Sequence, residues 1–141
     1  AGLVGHSAVR FYVMGERAIN LERATADDIA EMHRLTLEGL KAGAFGFTTS
    51  RTNSHKTPTG GMVPSRYSEI DELMGIGRAL GKAGFGAFGM NSDFDIEESE
   101  LEWMTRLGKE TGRPVWFLLT DRPTDDGRWR RLMDGVRNAR K

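Results

Sequence analysis

Residues 43–55 read GAFGFTTSRTNSH, and the order of residue types in this stretch decides the predicted fold class. Gly43 ends a helical pattern, an apolar run over residues 44–47 follows, and the chain then becomes polar. Glycine is common just after a helix, and short apolar runs are typical of buried strands. Proteins of the α/β class often place functional groups directly after a strand. The stretch therefore predicts a helix, a strand and then a candidate site.

The helix before this strand is predicted to begin at Thr25 and to end before Gly43. Threonine is a good N-cap, and Asp27 and Asp28 fall in the first turn, where the helix dipole favours negative charge. Apolar residues then recur at helical spacing as far as Leu40.

The rest of the chain repeats the same alternation of helix and strand. We predict a loop over residues 48–63, helices over residues 64–84, 97–111 and about 125–140, and strands over residues 85–90 and 114–119. The last strand is apolar throughout, as is typical of a parallel strand covered on both faces. Similar glycine-ending junctions occur at residues 40–43 (LKAG), 81–84 (GKAG) and 108–112 (GKETG).

These repeats predict an α/β fold of consecutive parallel βα units in one domain, residues 1–141. A doubly wound sheet and a piece of a (β/α)8 barrel both fit this order. About four units correspond to roughly half of the ~250 residues of a full TIM-like barrel.

Composition narrows the possible partners and compartments. The chain has 20 basic and 20 acidic residues and no cysteine. Zero net charge without a basic face argues against nucleic acid, and no apolar run reaches the roughly 18 residues of a membrane span. Without disulfides or a secretory signal, we expect a cytoplasmic protein. The first residues lack an initiator Met, which is expected of a chain that starts inside a longer one and equally of a chain whose Met was removed before Ala.

Four segments resemble, in order, motifs of the N-acyl-D-amino-acid deacylases (D-aminoacylases), a branch of the amidohydrolase superfamily. These segments are residues 5–15 (GHSAVRFYVMG), 24–32 (ATADDIAEM), 38–49 (EGLKAGAFGFTT) and 63–73 (VPSRYSEIDEL). The resemblance is weaker from residue 84 onward. It implies an internal fragment of a TIM-like barrel enzyme that uses zinc-activated water to hydrolyse an amide, with an N-acyl amino acid as the small-molecule substrate.

The sequence departs from the family where the family binds metal. The His-x-His pair of the first barrel strand is absent, the segment aligned with Thr-His-x-Arg has no His, and no His follows residue 114. Asn53 stands where the family has a substrate-contacting Tyr. We therefore predict no metal ligand, no catalytic residue and no cofactor in this chain, although zinc is implied for the full-length family. The chain alone is expected to be inactive.

Substrate contacts are predicted at the polar end of the first clear strand. An arginine could bind a substrate carboxylate, such as that of an N-acyl amino acid, through two hydrogen bonds. The alternative for the arginine is an ion pair within the fold. The alternatives for the histidines are a hydrogen-bonded structural role for His6 and a solvated loop position for His55. The predicted substrate-binding residues are Thr48, Thr49, Ser50, Arg51, Asn53, His55 and His6.

Other titratable residues have structural interpretations. His33 lies beside an apolar helix stripe and is predicted to pack or face solvent. Asp93 and Asp121 follow strands and fit helix capping better than metal or base roles.

A different class of function, a non-catalytic half-barrel that binds a small anion or only assembles, also fits the sequence. In either case unpaired sheet edges predict a homo-oligomer.

Overall fold

The computed structural model describes residues 2–95, 97–120 and 127–139. Helices and strands alternate along nearly the whole described chain. They are β1 Val4–Gly5, α1 His6–Met14, α2 Glu16–Ile19, α3 Ala26–Lys41, β2 Gly46–Arg51, α4 Ile70–Ala83, β3 Ala87–Ser92, α5 Glu97–Thr111, β4 Val115–Phe117 and α6 Arg128–Ala139. Asp121, residues 125–126 and residue 140 lie outside the described residues.

The four strands form one parallel sheet in the order β1-β2-β3-β4. Phe47 pairs with Val4 on one side and with Phe88 on the other, and Phe88 pairs with Val115. The α/β class and the consecutive parallel βα units are confirmed.

The helices α3, α4, α5 and α6 form a single layer against one face of this sheet. Each contacts the next along the chain, and α3, α4 and α5 also contact strands. Phe47, Phe88 and Met90 project into this layer and are at most 1% exposed. The ring of Phe88 lies 5.2 Å from that of Phe47 and 5.7 Å from that of Trp103 on α5. This stack forms the centre of the core.

The opposite face of the sheet is covered by no described helix, and we call it the open face. Side chains alternate between the two faces of a strand, so register assigns positions to this face. The paired positions on this face form three rows: Gly46 and Ala87; Gly5, Thr48, Gly89 and Trp116; and Ser50 and Asn91. Leu3 and Leu118, each one residue outside its strand, continue the first and the third row. Trp116 and Leu118 are 46% and 50% exposed. The prediction that the last strand is covered on both faces is therefore wrong.

The ends of two helices follow from local sequence. The Thr25 hydroxyl accepts from the Asp28 amide at 3.2 Å, and the Asp28 carboxylate accepts from the Thr25 amide at 2.8 Å. This capping box begins α3. Gly84, in the left-handed conformation at φ 77°, ends α4.

The largest differences from the predicted boundaries lie at the end of β2 and at the start of α4, and β3 also spans Ala87–Ser92 instead of residues 85–90. The polar residues Thr48 to Arg51 continue β2 because they pair with β3, so the loop begins later than predicted. The helix α4 begins at Ile70 and not at residue 64, because Pro64 and Ser65 form a buried turn whose groups bind α1 and β2. Among the described residues, no helix is long and apolar enough to cross a membrane.

Candidate functional site

Polar residues collect at the carboxyl ends of β2 and β3. Parallel strands place their carboxyl ends together, and ligands in α/β proteins bind at this end of the sheet. Because side chains alternate, the polar groups divide into one set on the open face and another set facing the helices.

The set on the open face consists of Ser50, His55 and Asn91, which we call the open-face cluster. Ser50 and Asn91 occupy paired positions of β2 and β3. The Ser50 Oγ lies 2.6 Å from His55 Nδ1, and Asn91 Nδ2 lies 3.3 Å from His55 Nε2. Ser50 and Asn91 are half-buried and His55 is exposed, so a ligand can reach all three.

The hydrogen bonds within the open-face cluster determine which of its donors and acceptors remain available to a ligand. The Asn91 amide donates to His55 Nε2, so a neutral imidazole carries its proton on Nδ1 and donates it to Ser50 Oγ. The Ser50 hydroxyl can then donate outward, and the Asn91 carboxamide oxygen can accept. One donor and one acceptor side by side match the carbonyl and N–H of an amide.

His6 and Thr49 face the helices and belong to a buried network around Glu72. The His6 Nε2 lies 2.8 Å from Glu72 Oε1, and its Nδ1 lies 2.8 Å from Thr49 Oγ1. Arg10 Nε donates to the same Glu72 oxygen at 2.8 Å. All four side chains are at most 4% exposed.

Charges within this network follow from burial. Burial lowers the pKa of His6 and outweighs the opposing hydrogen bond and charge of Glu72, so His6 is neutral. Burial pushes the pKa of Glu72 upward, but the hydrogen bonds from His6 and Arg10 and the charge of Arg10 lower it overall. The network is therefore a buried Arg10–Glu72 ion pair with a neutral His6, which donates from Nε2 and accepts from Thr49.

Arg51 is also engaged within the fold. Its Nε donates to Glu100 Oε1 at 2.7 Å, and its NH1 donates to the Ser68 carbonyl oxygen. Glu100 also accepts from the Trp103 indole at 2.6 Å. Arg51 therefore forms an ion pair with Glu100 within the fold, which was the alternative to a substrate contact.

Asn53 and Asp93 join the loop after β2 to the end of β3. The Asp93 carboxylate accepts from the Thr52 hydroxyl at 2.6 Å and from the Asn53 amide at 2.7 Å. The Asn53 side-chain oxygen accepts from Arg66 Nε at 3.0 Å. Asp93 thus fixes this loop through these bonds.

The predicted site residues therefore occupy three different locations. Thr48, Ser50 and His55 lie on or beside the open face, whereas His6, Thr49 and Arg51 are held against the helices and Asn53 lies in the loop. Sequence analysis missed Asn91 and Trp116. The alternation of β3 could have indicated Asn91, since it lies two residues after Gly89 on the same face.

The described residues do not fit the zinc that the resemblance implies. Within them, no three His, Cys, Asp or Glu side chains come close enough to hold one ion. Both His6 nitrogens are engaged in the interior, and His55 contacts a hydroxyl and an amide and no carboxylate. A zinc site needs at least three protein ligands.

Comparisons with family models, with curated proteins and with solved structures find no match to this chain.

Proposed function

We propose that this chain forms half of a (β/α)8 barrel of the amidohydrolase type, and that the open-face cluster binds the amide of an N-acyl amino acid or similar small molecule. The observation that carries the proposal is the convergence of Ser50, His55 and Asn91 at the carboxyl ends of neighbouring strands.

The order of the strands supports a barrel over a doubly wound sheet. Sequential parallel strands with crossovers of one hand place the connecting helices on one face, and α3, α4, α5 and α6 form such a layer here. A doubly wound sheet reverses its strand order at one point and has helices on both faces. In a barrel, the face opposite the helices becomes the interior.

The open face supplies complementary chemistry for such a ligand. Trp116 lies across Gly89, where a β-carbon would come within 2.3 Å of the indole. Its exposed ring offers an apolar surface for an acyl chain or an apolar side chain one row below the open-face cluster. In this proposal the open-face cluster contacts the amide of the ligand, and Trp116 contacts its apolar part.

Hydrolysis of the C–N bond would need groups beyond those described. The family's hydrolytic chemistry is a metal-activated water, and the described residues offer no set of ligands for that metal. We propose that this chain binds the substrate amide without cleaving it. Zinc-dependent release of amino acid from an N-acetyl amino acid by this chain would contradict that part of the proposal.

Calorimetric titration with N-acetyl-methionine, as separate D and L enantiomers, tests binding. We expect binding of at least one enantiomer, and about tenfold weaker binding by Asn91→Leu, since a lost hydrogen bond costs about 1–1.5 kcal/mol. The matched control is Asn20→Leu, at the exposed end of α2. No heat from either enantiomer, or equal affinity of Asn91→Leu and wild type, would refute the proposal.

A second candidate, a non-catalytic module that binds a small anion, has one observation in its favour. A cavity of about 250 Å³ at the ends of β2 and β3 is lined by Arg51 and Arg66. Glu100 and Asp95 line the same cavity and pair with these arginines. The carboxylates compete with an anion, so we rank this candidate second; saturable binding of inorganic phosphate that Arg66→Gln abolishes would reverse the ranking.

A further inference from the structure

The sheet presents an uncovered face and two unpaired edges. Leu3, Trp116 and Leu118 are at least 40% exposed and lie on the open face or its margin. Among the described residues, nothing pairs with the outer edge of β1 or of β4. Parallel sheets are normally covered on both faces, and unpaired edges associate readily.

The open face suits contact with an identical surface. None of its three rows contains a charged residue, so two copies facing each other bury no like charges. The bulky Trp116 stands on β4, and Leu118 directly follows this strand, whereas β1 contributes Gly5 to the middle row. A rotation that brings β4 of one copy beside β1 of another therefore places the large Trp116 next to the small Gly5.

Strand direction selects one such rotation. A twofold axis along the strand direction brings β4 of each copy beside β1 of the other, with every strand still parallel. Four strands from each copy make eight, the number at which side chains just fill a closed barrel. Stacking the two sheets face to face would leave all four edges unpaired.

An apolar groove along β4 fits the same arrangement. It has a volume of about 480 Å³ and lies between α5, β4 and α6, with Val115, Phe117, Met104 and Val136 in its walls. A strand added at the edge of β4 would direct its helix-facing side chain into this groove. On β1 that side chain is the half-buried Val4, which contacts α3 at Gly39.

We infer that a second copy of this chain covers the open face and both edges, so that two copies form one closed eight-stranded parallel barrel about a twofold axis. The inference rests on the proposed half-barrel. The open-face clusters of the two copies then face each other across one mouth of the barrel.

Sedimentation velocity on the full chain tests the stoichiometry. We expect a dimer for wild type and for Tyr12→Lys, whose side chain is 77% exposed on α1, and a monomer for Trp116→Lys and Leu118→Lys. Circular dichroism of each variant should match wild type because both replaced side chains are already exposed. Monomeric wild type at millimolar concentration, or folded lysine variants that remain dimeric, would overturn the inference.

The absence of cysteine permits a direct test of the strand order. Chains carrying Leu3→Cys and Leu118→Cys should cross-link to each other through a flexible bis-maleimide, and neither should cross-link to itself. Self-cross-linking without mixed products would refute the twofold barrel. A dimer without amide binding would refute the proposed function alone, and a monomer that binds the amide would refute only this inference.

Discussion

The His6 imidazole and the Glu72 carboxylate meet at 2.8 Å with both side chains 1% exposed. Together with Arg10 they join α1 to α4 on the helix side of the sheet. His6 is therefore a structural histidine, in contrast to the exposed His55 of the open-face cluster.

Glu72→Gln should lower the free energy of unfolding by about 3–5 kcal/mol, because it leaves the Arg10 guanidinium buried without its counter-charge. Urea denaturation at neutral pH measures the change. The exposed Glu69→Gln is the matched control and should change stability by less than about 0.5 kcal/mol. Equal stabilities of the two variants would show that the ion pair contributes nothing.

Stability should fall as pH decreases below about 6.5, the ordinary pKa of histidine. Burial lowers the pKa of His6 in the folded state, so the unfolded chain binds a proton that the folded chain does not. His6→Gln removes this titration and should flatten the fall between about pH 7 and pH 5, while lowering stability at higher pH. Denaturation curves across this range measure both effects, and parallel curves for the two proteins would contradict the neutral His6.

Arg17→Ala should raise the pKa of Asp28, which the Arg17 hydrogen bond and the Thr25 amide lower to about 2. The stabilisation from Asp28 is complete above its ordinary pKa and is lost as pH falls through about 2. Carboxyl-carbon NMR of the folded protein measures the pKa directly. An unchanged value would assign the shift to the capping box alone.

Gly46→Ala should destabilise the sheet by about 3 kcal/mol, the upper range for overpacking, because a β-carbon there would lie 2.1 Å from the Ala87 backbone oxygen. Backbone in a paired strand cannot move aside without breaking the ladder. Gly5→Ala is the control, since a β-carbon at Gly5 meets nothing within 4 Å. Urea midpoints compare the two, and a harmless Gly46→Ala would contradict the register of β2 with β3.

The sequence predicted features that depend on a few neighbouring residues. The start of α3 at Thr25 and the end of α4 at Gly84 are examples, because a cap needs only its own turn. The α/β class followed from the same local signals repeated along the chain.

Features that depend on strand pairing were not predictable in this way. Residues 48–51 were predicted as loop, but they pair with β3 and form part of β2. Arg51 was predicted to contact substrate, but it forms an ion pair with Glu100, nearly fifty residues later in the chain. Asn91 joined the candidate site only because the register brings it beside Ser50. Neither the register of the strands nor the face of the sheet that remains uncovered can be deduced from a single sequence.

An NMR titration of the ¹⁵N-labelled chain with the N-acetyl-methionine enantiomer that binds tests whether the open face holds the amide. Chemical-shift changes should concentrate at Thr48, Ser50, His55, Asn91 and the Trp116 indole, with none in the buried Glu72 network. Changes centred on the cavity beside Arg66, or no change at saturating ligand, would contradict an amide-binding open face.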